Sequence, residues 1–319
     1  MGTCMPLSES FIEISGYVRN WGRWGKDDEL GTVNFITKEV VKAASKCIKT
    51  GTTFPLSIKL EEDGVQVGFI PGRINPVRKM ISVNEPIEPD SEIDSFHTSD
   101  DVIQMGLQAG THWDGLCHAS YNGLVYNGYS SENITLEKGA SLCGIENIRS
   151  LCSRGVLLDV ARTKNVDFLE TPYAITADDL DEAARMANIE VRRGDIVLVR
   201  TGRMSIYNSQ GGMAYCLGPS GDGSNAGFSL STVKWLFDHD VAAVANDTLA
   251  FEVYPAEETP MAIHMLHLVD MGLLQGQNWD LESLALDCAK DGVYEFFLSA
   301  TPEPFLGGLG SPVAPVAIK

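Results

Sequence analysis

The most informative stretch of the chain is residues 108–118, which read Gln108-Ala-Gly-Thr-His112-Trp-Asp114-Gly-Leu-Cys-His118. The chain has only six histidines, and two of them lie here on either side of an aspartate. The apolar run in residues 101–112 predicts a buried strand that leads into this segment. Alternate residues of a strand point to the same face. Gln108, His112 and Asp114 are therefore expected to converge, with Gly110 leaving room between them.

This residue pattern suits two kinds of chemistry. His and Asp two positions apart on one strand face can share a divalent metal ion. His118, just beyond the strand, can act as a further ligand or as a general base. Either histidine alone could be an ordinary polar residue at a strand end, but the cluster favours a functional site.

Downstream of residue 140, strand and helix patterns alternate. Strands are predicted at residues 155–160, 195–200, 241–245 and 295–298. Helices are predicted at residues 145–151, 229–237 and 281–289, together with a helix that starts at a capping box formed by Thr176 and Asp179. Upstream, strands are predicted at residues 53–60 and 65–70. Residues 208–227 are rich in glycine and predict a long irregular loop.

The alternation predicts an α/β fold with a mixed β-sheet flanked by helices. Since no linker interrupts the pattern, residues 1–319 are interpreted as a single domain. Residues 1–15 are expected to form an N-terminal extension, and residues 301–319 a C-terminal tail.

Composition narrows the possible functions. The 319 residues are 44% apolar and 21% charged, which is typical of a globular protein. Acidic residues outnumber basic ones 43 to 24, so the formal charge is −19. Phosphate backbones and anionic lipids would repel such a chain, which argues against nucleic-acid and membrane partners. No run is long enough to span a membrane, and the first residues do not resemble a secretory signal. A cytoplasmic location is therefore expected.

The central segment resembles the H-x-G-T-H-x-D-x-P-x-H motif of the Putative cyclase family, which includes bacterial kynurenine formamidases and isatin hydrolases. Other parts of the chain also resemble longer members of that family. They are residues 20–34, Asp247, residues 252–255, residues 264–272 and residues 279–284. The resemblance implies the kynurenine formamidase and cyclase fold, a small-molecule substrate, and a homodimer or higher homo-oligomer.

The resemblance also implies roles for particular residues. His112 and Asp114 match two metal ligands. His118 matches the histidine that serves as acid–base group or second ligand, and His264 matches a histidine near the metal. His267 falls at an aliphatic position of the family pattern, which indicates helix packing. By the same resemblance Asn34 and Tyr254 are assigned to substrate binding. From their residue types, Gln108 and Gln277 are assigned to hydrogen bonds with a substrate carbonyl and Trp113 to the wall of a pocket for a flat ring, with packing of Trp113 in the core or at the rim an equal alternative.

Three positions depart from the family pattern. Gln108 stands in place of the first histidine ligand, Gln277 in place of a glutamate, and Leu116 in place of the motif proline. A glutamine oxygen is a weaker donor than imidazole, and the Glu-to-Gln change removes one negative charge. A two-metal centre is therefore disfavoured. One divalent ion, zinc or manganese, bound by His112, Asp114, Gln108 and His264 is one interpretation, and a metal-free site is the other.

Two enzymatic hypotheses follow. In the first, a metal-activated water hydrolyses a small cyclic amide, lactone or formamide, and His118 is the general acid and base. In the second, a metal-free cyclase, dehydratase or lyase acts on a biosynthetic intermediate, with His112, Asp114 and His118 as acid–base groups. A third hypothesis, from a different class, is a non-catalytic ligand-binding protein.

Overall fold

The structure is a computed structural model that describes residues 7–88 and 96–319. The strands in these ranges are β1 (Thr53–Pro55), β2 (Val77–Pro86), β3 (His97–Gln104), β4 (His112–Asp114), β5 (Ile134–Thr135), β6 (Gly139–Ala140), β7 (Cys152–Asp159), β8 (Tyr173–Ile175), β9 (Ile196–Arg200), β10 (Ala226–Phe228), β11 (Ala243–Asn246), β12 (Leu274–Gln277), β13 (Glu295–Ser299), β14 (Gly310–Pro312) and β15 (Val316–Ile318). The α-helices are α1 (Glu9–Val18), α2 (Lys38–Ala44), α3 (Val160–Thr163), α4 (Ala177–Met186), α5 (Arg203–Leu217), α6 (Leu230–Asp238), α7 (Ala262–His264) and α8 (Glu282–Asp291). A π-helix, Met265–Met271, follows α7 directly.

A nine-stranded mixed sheet forms the centre of the fold, in the order β1-β15-β13-β7-β9-β11-β12-β4-β14. The four inner strands β7, β9, β11 and β12 run parallel, and the strands on both sides of them pair antiparallel. The inner strands are buried on both faces, and the sequences of β9 and β11 are accordingly almost continuously apolar. The predicted mixed-sheet α/β fold is confirmed.

Each face of the sheet packs into its own apolar core. Along β7, Val156 and Leu158 point into one core, which helices α1, α4 and α6 cover, and Leu157 points into the other. Helix α8 contributes Leu284 and Cys288 to that second core. The sheet is thus covered on both sides, as parallel strands require.

The elements predicted for the second half are largely confirmed. Strands β7, β9, β11 and β13 and helices α4, α6 and α8 match the predicted segments to within three residues at either end. Thr176 and Asp179 form the predicted capping box at the start of α4. The helix predicted at residues 145–151 is wrong, since only a single 3₁₀ turn, Ile145–Asn147, forms there.

The buried strand predicted at residues 101–112 is also wrong. Strand β3 ends at Gln104, pairs only with β2 in a separate hairpin, and is largely exposed. A turn then separates it from the short strand β4. The same apolar pattern occurs in exposed hairpins and in core strands. The pattern alone therefore does not determine whether a strand is buried. Of the other two upstream predictions, residues 65–70 form no strand, and only Thr53–Pro55 of residues 53–60 does.

Two predicted irregular segments are ordered elements. Helix α5 covers much of residues 208–227, with a break at Gly211, where φ is 82°. The expected tail, residues 301–319, supplies β14 beside β4 and β15 between β1 and β13. Strands this short, interrupted by glycine and proline, carry little periodic signal.

The expected N-terminal extension is only partly within the described ranges, which begin at residue 7. Helix α1 starts at Glu9 after the cap residue Ser8, and Phe11 and Ser15 are buried. The segment therefore packs against the sheet's helices, principally α6. Among the helices in residues 7–88 and 96–319, none has the length and apolar character needed to cross a membrane.

Candidate active site

Strand β4 carries the His–Asp pair into the sheet between β12 and β14. Asp114 pairs with Gln275 of β12, and His112 pairs with Gln277. Because alternate residues share a face, these four side chains lie on the same side of the sheet. All four are buried.

Asp114 is the centre of a cluster of three imidazoles. Its Oδ1 lies 3.5 Å from His112 Nε2 and 3.6 Å from His118 Nε2. Its Oδ2 lies 3.9 Å from Nε2 of His264, which comes from α7. The backbone N–H of His118 donates a hydrogen bond to Gly115 O, which closes a turn after β4. The side chain of His118 is 23% exposed. The cluster is therefore open to solvent at His118.

The tautomer of His112 can be assigned from its neighbours. Its Nδ1 lies 2.8 Å from Gly110 O, so Nδ1 carries the hydrogen and donates it. The lone pair on Nε2 then faces Asp114 Oδ1, and neither of these buried atoms has a hydrogen-bond partner. Two facing lone pairs in a buried site are unfavourable unless a cation or a proton lies between them. The pair fits a metal ion in this respect.

His264 is oriented by a carboxylate that the sequence analysis did not assign to the site. Glu252 Oε1 accepts a 2.6 Å hydrogen bond from His264 Nδ1 and also accepts from the backbone N–H of His264. This contact fixes the ring and leaves Nε2 free as an acceptor, as in carboxylate–histidine–metal arrangements. No local sequence signal indicates the contact, because the two residues come from separate segments.

Gln277 contacts Asp114 directly. Its Nε2 donates to Asp114 Oδ2 at 2.9 Å and lies 3.5 Å from His264 Nε2. Gln275, which the sequence analysis did not single out, donates more weakly to the same oxygen at 3.4 Å. A neutral amide thus occupies the space between Asp114 and His264, which is consistent with the expected loss of a second metal position.

The charges in the cluster set its protonation. Burial raises the pKa of Asp114, but His118, His112 and His264 outweigh burial and lower it well below its usual range. The Asp114 carboxylate raises the pKa of His118, but burial and the neighbouring His264, His112 and Arg73 side chains lower it, and the net direction is down. At neutral pH Asp114 is therefore ionised and His118 is a neutral base.

The cluster is an incomplete metal site as it stands. In residues 7–88 and 96–319, no group of three or more His, Cys, Asp and Glu side chains is spaced to hold an ion. His112 Nε2 and Asp114 Oδ1 supply two free ligand atoms.

Several residues assigned to the site lie outside this cluster. The Trp113 ring is fully buried on the opposite face of β4, where it packs on Trp279 and donates to Ala300 O. The assignment of Trp113 to substrate binding is therefore wrong, since the residue belongs to the core. Asn34 donates to Asp28 and to Gly31 O, and the Tyr254 side chain is exposed.

Gln108 does not lie on the strand that carries His112. It sits in the turn before β4, half-buried beside Gly310. The expectation that Gln108 shares a strand with His112 and Asp114 is therefore wrong, because β4 begins only at His112. The Gln108 amide nevertheless lies against Gly310, the β14 residue that pairs with Asp114.

A separate cavity of about 430 Å³ lies where β9 ends and α5 and α8 begin, and it does not include the cluster. Arg200 in its wall is neutralised by Asp159 and Glu282. The cavity therefore offers little free charge to a ligand.

The fold and the His–Asp cluster together define an α/β enzyme of the cyclase and hydrolase class. The sequence profile described as Putative cyclase matches residues 49–253. A crystal structure described as a novel cyclase is 36% identical, with a TM-score of 0.85 over 96% of this chain and 99% of that one. The chain therefore belongs to the Putative cyclase family.

More distant structures share the fold alone. Isatin hydrolase A from Labrenzia aggregata, bound to benzyl benzoate, is 17% identical, with a TM-score of 0.61 over 88% of this chain and 97% of that one. An isatin hydrolase bound to the product analogue thioisatinate is also 17% identical, with a TM-score of 0.58 over 86% of this chain and 94% of that one. Among curated proteins, none matches the chain.

Proposed function

We propose that the protein hydrolyses a small cyclic amide, lactone or formamide, with one divalent metal held by His112 and Asp114 and with His118 as general acid and base. The observation that carries this proposal is the pair of buried acceptor atoms, His112 Nε2 and Asp114 Oδ1, which face each other at 3.5 Å without a partner. The fold shared with isatin hydrolases supports hydrolysis of a ring compound.

The residues of the cluster have distinct parts in this chemistry. His112 and Asp114 would hold a divalent ion, zinc or manganese, which would supply Lewis acidity and acidify water. Asp114 contributes the negative charge that offsets the ion, and Gln277 holds that carboxylate in place. Glu252 orients His264, whose Nε2 is the nearest candidate for a third ligand. Neutral His118, the exposed member, accepts a proton from water and returns it to the leaving group.

Metal analysis and substrate screening test this proposal. Plasma mass spectrometry of purified, dialysed protein should give close to one zinc or manganese per chain. A screen of lactones, lactams and formamides should then find turnover that chelation abolishes. His118→Gln should keep the metal and lower kcat by about 10²–10⁴-fold, whereas His112→Ala should lose the metal. His239→Gln, at the C-cap of α6, is the matched control and should change neither.

A metal-free cyclase, dehydratase or lyase is the second candidate. The specific observation in its favour is that the described part of the chain has no complete three-ligand group, while Asp114 already contacts two glutamine amides. In that case His118 and His112 exchange protons with the substrate, and Asp114 orients them. A protein that binds no zinc or manganese on reconstitution, yet loses turnover in His118→Gln, would select this candidate over the hydrolase.

We also propose that the enzyme is a homodimer or larger, with a second copy covering the hairpin of β2 and β3. The hairpin has exposed apolar side chains, including Ile81 at 67% and Val83 at 64%, and neither strand pairs with a third strand from residues 7–88 or 96–319. Such edges and patches favour association. Light scattering should give at least twice the mass of the 34.6 kDa chain. The double variant Ile81→Lys and Val83→Lys should give the monomer, and a monomeric wild type contradicts the proposal.

A further inference from the structure

Arg73 lies beside the loop that leads into the site. Its Cγ is 3.0 Å from the position that a Cβ on Gly106 would take, so the arginine stem packs against that glycine. The backbone N–H of Gly106 donates to Ile74 O, which ties the two segments together. Residues 105–111 then run directly to His112. The arginine is thus anchored next to β4, although 39 positions separate it from His112 in the sequence.

The guanidinium of Arg73 is half-buried and has no ion pair or side-chain hydrogen bond with any residue in 7–88 or 96–319. Two buried arginines are paired with carboxylates, and a third, Arg203, donates only to the backbone carbonyls of Tyr215 and Cys216. Arg154 binds Asp195 and Glu295, and Arg200 binds Asp159 and Glu282. An uncompensated, partly desolvated charge is costly, and the acidic chain offers many carboxylates that could have relieved it.

The charge of Arg73 acts on the catalytic cluster. Burial lowers the pKa of Arg73, and the Asp114 carboxylate opposes that effect. In turn, the guanidinium contributes to the lowered pKa of His118. The Cβ of Ala109, three residues before His112, lies 3.8 Å from the same Gly106 position that the Arg73 stem contacts, so the arginine packs at the turn that leads into the site, where its guanidinium is free to bind a ligand.

We propose that Arg73 binds a carboxylate of the substrate, so that the substrate is a small carboxylic acid whose reacting carbonyl lies at His112, Asp114 and His118. The planar guanidinium matches a carboxylate in a two-point contact. A chain with a charge of −19 repels anions in general, so an acidic substrate needs a dedicated cation near the site. The position of the reacting carbonyl rests on the proposed function, whereas carboxylate binding by Arg73 does not.

Calorimetric titration of ligands into the protein tests this inference without any substrate. The probes are benzoate, phthalate and succinate, with benzamide as the neutral counterpart of benzoate. Wild type should bind at least one carboxylate and prefer benzoate to benzamide. Arg73→Gln should weaken carboxylate binding about tenfold or more, the effect of losing a charge-assisted contact. Arg73→Lys should recover part of the affinity.

Two controls separate this role from structural and metal effects. Arg78→Gln, at an exposed arginine on β2 that pairs with Asp101, should bind every probe as wild type does. Arg73→Gln should also keep or raise the melting temperature, because it removes an unpaired charge, whereas a structural arginine would lower it. The loss of carboxylate affinity caused by Arg73→Gln should be the same after chelation and in a His112→Ala background, whether or not the protein holds a metal.

The inference is overturned if wild type binds none of the three carboxylates. It is also overturned if Arg73→Gln binds them as wild type does, or if Arg73→Gln loses stability and benzamide binding together with carboxylate binding.

Discussion

At the scale of single residues, the least satisfied group is the imidazole of His267. It is fully buried in the π-helix, edge-on to the rings of Phe228 and Phe251, and neither ring nitrogen has a hydrogen-bond partner. Burial and the neighbouring His264 lower the pKa of His267 to about 3, although nearby Gln275 acts in the opposite direction. The residue is neutral in the folded enzyme and packs as an aromatic ring, the role the family pattern implied.

This buried imidazole makes stability depend on pH. Between about pH 3 and 6.5 the unfolded chain binds a proton at His267 that the folded chain does not, so the free energy of unfolding falls as pH falls. We expect His267→Phe to remove up to about 1.4 kcal/mol per pH unit of that dependence. Urea unfolding at a series of pH values measures it, and an identical pH dependence in wild type and variant contradicts the assignment.

Gln277 sets the charge of the site. In Gln277→Glu a second carboxylate replaces the amide 2.9 Å from Asp114. Without metal, two close carboxylates repel, so the melting temperature should fall below that of wild type. With manganese or zinc added, the variant should gain more stability than wild type and take up more metal. Scanning fluorimetry with chelator or metal measures both effects, and Gln277→Met is the neutral control. Equal metal responses in the two variants would refute the expectation.

At the scale of elements, the first turn of α4 depends on its cap. The Thr176 side chain accepts from the backbone N–H of Asp179, whose carboxylate accepts in return from the Thr176 N–H. Thr176→Ala should lower the free energy of unfolding by about 1 kcal/mol, and Thr176→Ser should restore most of it. Denaturant midpoints measure both variants. Equal stabilities for Ala and Ser would show that the cap contributes little.

The helices and strands that could be predicted are those whose burial is visible in the local sequence pattern. The inner parallel strands and their helices have periodic patterns because their burial follows directly from local sequence. The β2–β3 hairpin has a similar apolar pattern, yet lies outside the sheet, since the pattern does not specify what covers a strand. For the site, the local pattern identified His112, Asp114 and His118. Glu252 and Arg73 approach the cluster through tertiary contacts and leave no local signal.

At the scale of the whole molecule, the site depends on a strand from residues first expected to be a tail. A Cβ at Gly310 of β14 would lie 2.8 Å from Trp113 O on β4 and 2.6 Å from Gln108 Nε2. Gly310→Val should therefore displace β4, lower the free energy of unfolding by about 1–3 kcal/mol and reduce metal binding. Leu306→Val, at a side chain 90% exposed, is the control in the same segment. Thermal melts and metal titration compare the two variants. Wild-type stability and metal binding in Gly310→Val would contradict the claim that the site depends on β14.

The position of β4 between β12 and β14 also determines when the site can form during synthesis, because both partner strands come later in the sequence. A ribosome adds about 5–20 residues per second, and the strand with His112 and Asp114 emerges long before either neighbour. Until residues 274–277 and 310–312 have left the exit tunnel, both edges of β4 are open to pairing with other nascent chains. The sheet around His112 and Asp114 therefore forms only late in translation. Pairing of β4 with another nascent chain should be most frequent when several ribosomes translate the same messenger RNA.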